Sequence, residues 1–259
     1  MPVNWDEVQQ ALHPVKDYED LCRRLQGSFA FPFVRRSFNL SLPELVNYTR
    51  VILGGDARGR YTEYASTLIE TLTELHQAGV PDILGLLSQV DSREQLESFA
   101  GRSKINAHEV VAVLKYLLYW VVPGEKYLSG LVRDDPDTSQ AIKVLGGLGV
   151  RTNLQILQRG ITRTDRLALA EASGLSETVI SELANRADFS RMPWASKATI
   201  SNIIGAGYAS LAMLASADPE QLYADFFRYG KAIGKNLKLG NEIENSYRIA
   251  KIVPMILQP

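Results

Sequence analysis

Laid over itself at a constant shift of 70 residues, the chain repeats. The stretch from Gly79 to Pro123, aligned with Gly149 to Pro193, matches at Gly79/Gly149, Val80/Val150, Leu84/Leu154, Leu87/Leu157, Arg93/Arg163, Ala100/Ala170, Ser103/Ser173 and Pro123/Pro193. Apolar character is also kept at Phe99/Leu169, Ile105/Leu175, Val110/Ile180, Val113/Leu183 and Val122/Met192. A third, looser copy runs from Gly207–Tyr208 through Leu211, Leu214 and Asp218–Pro219–Glu220 to Val253–Pro254. Each copy reads as glycine, an apolar residue, a short helix, a polar cap, a longer helix, an apolar residue and proline. Such a unit cannot bury its apolar face alone, so the copies must stack.

The copies are helical. Pairs in which a small polar residue caps a helix amide three positions on, with Glu or Gln reaching back, occur at Asn4/Glu7, Ser41/Glu44, Ser92/Gln95, Asn106/Glu109 and Asp218/Gln221. Alternating strands bounded by hairpin turns are absent. An all-α chain of about a dozen helices is expected. With 259 residues, 46% of them hydrophobic, the chain can bury a core and is not intrinsically disordered. The segments expected are an amino-terminal helical cap or arm over 1–58, a first repeat region over 59–145 and a carboxy-terminal region over 146–259. The glycine-rich Gly54–Arg60 stretch lacks a Walker lysine and serves as the linker.

A lone cysteine, Cys22, and an amino terminus without a basic and apolar leader predict a cytoplasmic protein. Val110 to Val122 is too short to span a bilayer and is interrupted by Lys115, so it is expected as a buried helix and no membrane partner is expected. The histidines His13, His76 and His108 have no partner at metal-ligand spacing, and no nucleophile, base and orienter come together. No catalytic residue, metal or cofactor is expected. Flanking arginines would lower the Cys22 thiol, but a structural apolar role fits it better.

The stretch Met192-Pro193-Trp194-Ala195-Ser196-Lys197 through Gly205-Ala206-Gly207-Tyr208 to Asp218-Pro219-Glu220-Gln221-Leu222 resembles a helix-hairpin-helix unit. With its internal copies the similarity covers Gly59 to Pro254, and it is closest to the tandem, largely uncharacterised helix-hairpin-helix proteins of bacteria and archaea. The resemblance implies tandem helix-hairpin-helix units stacked behind the amino-terminal helical segment. It also implies sequence-independent binding of a DNA or RNA backbone, with hairpin amides and a helix dipole facing a phosphate. The residues it points to are Arg191, Pro193, Trp194, Ala195, Ser196 and Lys197. Trp194 and Ser196 stand where the family has hairpin glycines, and the acidic stretch from Glu125 to Asp137 interrupts the preceding unit; both weaken the phosphate logic.

Net charge of −1 excludes a basic coat, but it is unevenly spread. From Gly146 onward there are 13 Lys+Arg and 10 Asp+Glu, or +3, leaving 15 and 19, or −4, before it. Arg151, Arg159, Arg163 and Arg166 surround one short helix, while Arg228, Lys231, Lys235 and Lys238 fall in a loop-like stretch. These are phosphate contacts on one reading and a solvated face on the other. Trp194 stacks on a base or plugs inward between units. Tyr116, Tyr119 and Trp120 suit core or inter-unit packing. Phe29, Phe31, Phe33 and Phe38, interleaved with Pro32, suit an extended segment docking on the chain itself or on another protein. The alternative to nucleic-acid binding is a helical protein-interaction or scaffolding module.

Overall fold

A computed structural model describes residues 3–54, 59, 61–132, 136–193, 195–235, 237 and 241–258. Among the described residues it is all-α, with sixteen α-helices and no strand beyond two isolated bridges. The chain divides into two compact units, Met1–Gly124 and Glu125–Pro259. The divisions expected at 58/59 and 145/146 lie inside these units. Residues 55–58 and 60 of the expected linker lie outside the described residues.

Unit 1 holds α1 (Trp5–Leu12), α2 (Tyr18–Phe29), α3 (Pro32–Phe38), α4 (Leu42–Gly54), α5 (Thr62–Gln77), α6 (Ile83–Gln89), α7 (Arg93–Ser103) and α8 (Ala107–Tyr116), which runs into a π-helical turn over Leu117–Val121. Helix α4 packs on α5, which in turn packs on α8, and α1 packs on α8 as well, so residues 3–54 are built into this unit. The SFAFPF segment is not extended. Pro32 takes the first turn of α3, where its missing N–H costs nothing, and Phe29, Phe33 and Phe38 are buried in their own unit. Three of the four phenylalanines offered to a partner are thus spent inside, and Phe31 is half-buried. Val110, Val113, Leu114, Leu117, Val121 and Val122 are buried as expected. Lys115, the charge within that run, sends its Nζ to the carbonyls of Ala11 and His13 at the end of α1. Tyr116 is buried with its hydroxyl against Thr49 Oγ1 at 2.8 Å, whereas Tyr119 is exposed. No helix among the described residues is long and apolar enough to cross a membrane.

Unit 2 holds a 3-10 turn (Leu128–Gly130), α9 (Pro136–Gly147), α10 (Asn153–Arg159), α11 (Arg163–Ser173), α12 (Glu177–Phe189), α13 (Lys197–Gly205), α14 (Leu211–Ala215), α15 (Pro219–Ala232) and α16 (Asn241–Ala250). The 70-residue shift survives in three dimensions. Helices α10 and α11 have the lengths of α6 and α7 and start 70 residues later, as α12 does relative to α8. Gly79 and Gly149 both lie at positive φ (87° and 76°), the conformation a glycine adopts without strain. The next residue donates back to the preceding helix in both copies, Val80 to the Leu75 carbonyl and Val150 to the Leu145 carbonyl. An incoming strap pairs with the cap of the short helix in each, Ser41 with Asp82 and Tyr127 with Thr152. Gly207 (φ 105°) repeats the turn a third time, with Tyr208 donating to Ile203.

Caps explain where the helices begin. The reciprocal pairs at Ser41/Glu44 and Asn106/Glu109 form, and two more appear at Thr152/Gln155 and Thr162/Asp165. Asn4 caps Asp6 rather than Glu7, and Asp218 accepts from the Gln221 amide while the Gln221 side chain turns to Asp225. The tight turn between the longer helices is left-handed in both copies, at Lys104 (φ 63°) and Gly174 (φ 68°), each preceded by a serine, Ser103 or Ser173, whose hydroxyl accepts the amide two residues on. The same geometry is free of side-chain strain only in the second copy. Replacing Lys104→Gly should raise stability by about 1 kcal/mol and Gly174→Ala should lower it by about 1–2 kcal/mol, read as opposite shifts of the denaturant midpoint.

Candidate functional site

The cations proposed to face a phosphate divide into an inner and an outer set. Arg191 is 4% exposed and turned inward. Its Nε donates to Asp188 Oδ1 at 2.9 Å, and its Nη1 donates to the Pro254 carbonyl at 3.0 Å. Arg166 is buried as well; Nη1 meets the carbonyls of Gly160 and Ile161, and Nη2 meets that of Gln258 at 2.9 Å. Both leave the set available to a nucleic acid. Instead they fasten the segment over residues 254–258, which the Gln258 amide also ties to the Ile161 carbonyl.

The hairpin itself is largely closed. Pro193 and Ala195 are buried, and Trp194 lies outside the described residues. Ser196 is exposed but caps α13, its Oγ accepting the Thr199 amide at 3.1 Å, which uses a donor that a phosphate would need. Lys197 is half-buried.

Arg151, Arg159, Arg163, Lys231 and Lys235 are exposed. Arg159 Nη1 donates to the Leu148 carbonyl, so Arg151 and Arg159 flank the Gly149 turn, beside the strap residue Tyr127, which is 71% exposed. Arg163 pairs with Glu177 at 2.9 Å on the surface, which lowers the Glu177 carboxyl and costs little to break. Lys231 lies in the last turn of α15, not in a loop, with Nζ 4.5 Å from the Phe227 ring centroid; Arg228 is in the same helix and pairs with Asp225. Lys238, like residues 133–135 of the acidic stretch, lies outside the described residues. The start of that stretch docks rather than protrudes: Glu125 accepts from Thr152 Oγ1 at 2.7 Å and Lys126 N donates to Asn153 Oδ1 at 2.8 Å.

What composition and spacing did not reveal is a polar network at the end of α12. Lys126 Nζ donates to the Ser190 carbonyl at 2.8 Å, Asn153 Nδ2 to Ser190 Oγ at 2.9 Å, and Ser190 Oγ to the Ala187 carbonyl. Burial lowers the Lys126 ammonium and raises the Asp188 carboxyl, with Arg191 opposing the latter. The repeat carries the signal for it. At the 70-residue shift Arg166, Asp188 and Arg191 align with Leu96, Leu118 and Val121, all buried.

Arg191→Met should leave Asp188 buried and unpaired and cost about 3–5 kcal/mol, whereas Asp188→Leu combined with Arg191→Met should cost far less, as a double-mutant cycle in urea would measure.

Residues 138–242 match the model of a family described as a domain of unknown function (DUF4332). The match runs from α9 into α16 and ends before the segment that the two arginines hold. No curated protein and no solved structure matches the chain.

Proposed function

We propose that the chain is a non-catalytic helical interaction module that works through unit 2. The observation that carries this reading is the distribution of large apolar side chains left in solvent. Among the described residues Val51 and Tyr119 are the exposed ones in unit 1, against Tyr127, Leu148, Leu167, Met213, Phe227, Ile233 and Met255 in unit 2. Leu148 and Phe227 stand beside exposed cations, Arg159 and Lys231. An apolar residue bordered by a cation suits a protein partner with an apolar patch ringed by carboxylates.

A second reading, binding of a DNA or RNA backbone by tandem helix-hairpin-helix units, draws on the local turns shared by the copies. It also draws on Arg151, Arg159 and the exposed Tyr127, a cation and ring pairing suited to phosphate and base. It is the weaker one, because Arg166 and Arg191 are used internally and Ser196 fills its own helix cap. Localisation in the cytoplasm accompanies either reading. Cys22 is buried, its thiol pushed up to about 11 by burial, so the chain's one sulfhydryl is kept as an apolar residue.

Titration of labelled duplex DNA, single-stranded DNA and RNA at low and physiological salt separates the two. Little affinity is expected at physiological salt. Binding that falls steeply with log salt and weakens in Arg151→Ala with Arg159→Ala would replace the interaction reading with the nucleic-acid one. A partner recovered with the whole chain is expected to bind at least about tenfold more weakly to Phe227→Asp or Leu148→Asp, with helicity by circular dichroism unchanged.

A further inference from the structure

Helix α12 presents Ser181, Asn185 and Asp188 at positions i, i+4 and i+7, a single polar stripe. This stripe lines a cleft of about 300 Å³ inside unit 2, whose other walls include Arg166, Met255 and Leu257. The copy in unit 1 treats the same face differently. Val111, Lys115 and Leu118 occupy the corresponding positions; Val111 and Leu118 are buried, and α1 covers α8 there. In unit 1 the face is packed, with its one ammonium, Lys115, tied to the carbonyls at the end of α1, whereas in unit 2 it is polar throughout and hollow. Polar groups placed at a face that could be packed are costly unless something satisfies them.

Several of these groups have side-chain atoms with no hydrogen bond among the described residues. Asp188 is 3% exposed, and both hydrogen bonds from Arg191 fall on Oδ1, leaving Oδ2 to the cleft. The three carbonyls held by Arg166 use Nη1 and Nη2 and leave Nε–H without a hydrogen bond among the described residues. Ser181 and Asn185, both half-buried, make no side-chain hydrogen bond among the described residues.

We propose that this cleft binds a small zwitterion of the α-amino-acid class, with its ammonium at Asp188 Oδ2 and its carboxylate at Arg166 Nε. The charges in and against the cleft select that class. A simple amine would meet the Arg166 guanidinium and a simple carboxylate would meet Asp188, whereas a molecule carrying both signs satisfies each. The Asn185 amide and Ser181 hydroxyl offer donors and acceptors between them, and Met255 and Leu257 form an apolar wall for a side chain. The volume is at the small end of the range for ligand pockets. Of the exposed apolar residues assigned to a protein partner, the cleft shares only Met255.

The test uses the whole chain with ¹³C-methyl methionine, because Met255 alone of the four methionines lines the cleft. Free amino acids are added singly at millimolar concentration, with ethylamine and acetate as single-charge probes. At least one amino acid should shift the Met255 methyl saturably while neither single-charge probe does. Asn185→Ala, at a half-buried position with no side-chain hydrogen bond among the described residues, should weaken that binding by about tenfold with Tm unchanged. Asp188→Asn should abolish it; if that variant does not fold, Asn185→Ala and Ser181→Ala carry the test. Absence of any Met255 response, a response equalled by ethylamine or acetate alone, or binding untouched by Asn185→Ala would overturn the proposal.

Discussion

The ion pair of Asp188 with Arg191 is the constraint around which unit 2 is organised. Two opposite charges out of water lose several kcal/mol each of hydration and recover it only through close geometry and further hydrogen bonds. Arg191 reaches one partner on its own helix end and another in the segment that follows α16. Around it the last turn of α12 would expose carbonyls to the interior; Lys126, on the strap that precedes α9, answers that of Ser190, and the Ser190 hydroxyl, itself held by Asn153 of α10, answers that of Ala187. The helix end, the strap and the carboxy-terminal segment thus share one electrostatic problem, and none can shift without exposing a charge or an unpaired carbonyl.

Unit 1 meets the same geometry with different chemistry. Leu118 and Val121 replace the ion pair, and Leu96 replaces Arg166. Among the described residues its fully buried side-chain hydrogen bonds are neutral, such as the Tyr116 hydroxyl on Thr49. Fully buried rings, Tyr18, Phe29, Phe33, Phe38 and Tyr116, fill the interior. Among the described residues of unit 2 the buried charged side chains are Arg166, Arg186, Asp188 and Arg191. A common scaffold of turns and caps has therefore been filled in two ways, one by apolar packing, the other by paired charges around a hollow.

The scaffold was legible in the sequence because turns and caps are local. A glycine at positive φ, a polar residue three positions before its partner amide, and an apolar period are each decided by a handful of neighbours, so the 70-residue repeat maps directly onto helix starts. The fate of the arginines was not legible in the same way. Arg166 and Arg191 sit in the sequence just as Arg159 and Arg163 do, and burial is set by what arrives from far along the chain. Comparison of the copies held that information, since a charge aligned with Leu96 or Val121 occupies an interior position. The phenylalanine segment misled for a related reason: its alternation suits an extended chain, but Pro32 at a helix start and the demand for buried rings favour two short helices.

Arg166 and Arg191 grip the carboxy-terminal segment by main-chain oxygens, at Gln258 and Pro254. A grip of that kind does not depend on which side chains the segment carries. Positions 255 and 257, which form a wall of the cleft, are free to change in size and polarity while the segment stays fastened. Anchoring and selectivity are thereby assigned to different atoms of the same five residues, and a cleft built this way can be altered without rebuilding the fold that holds it.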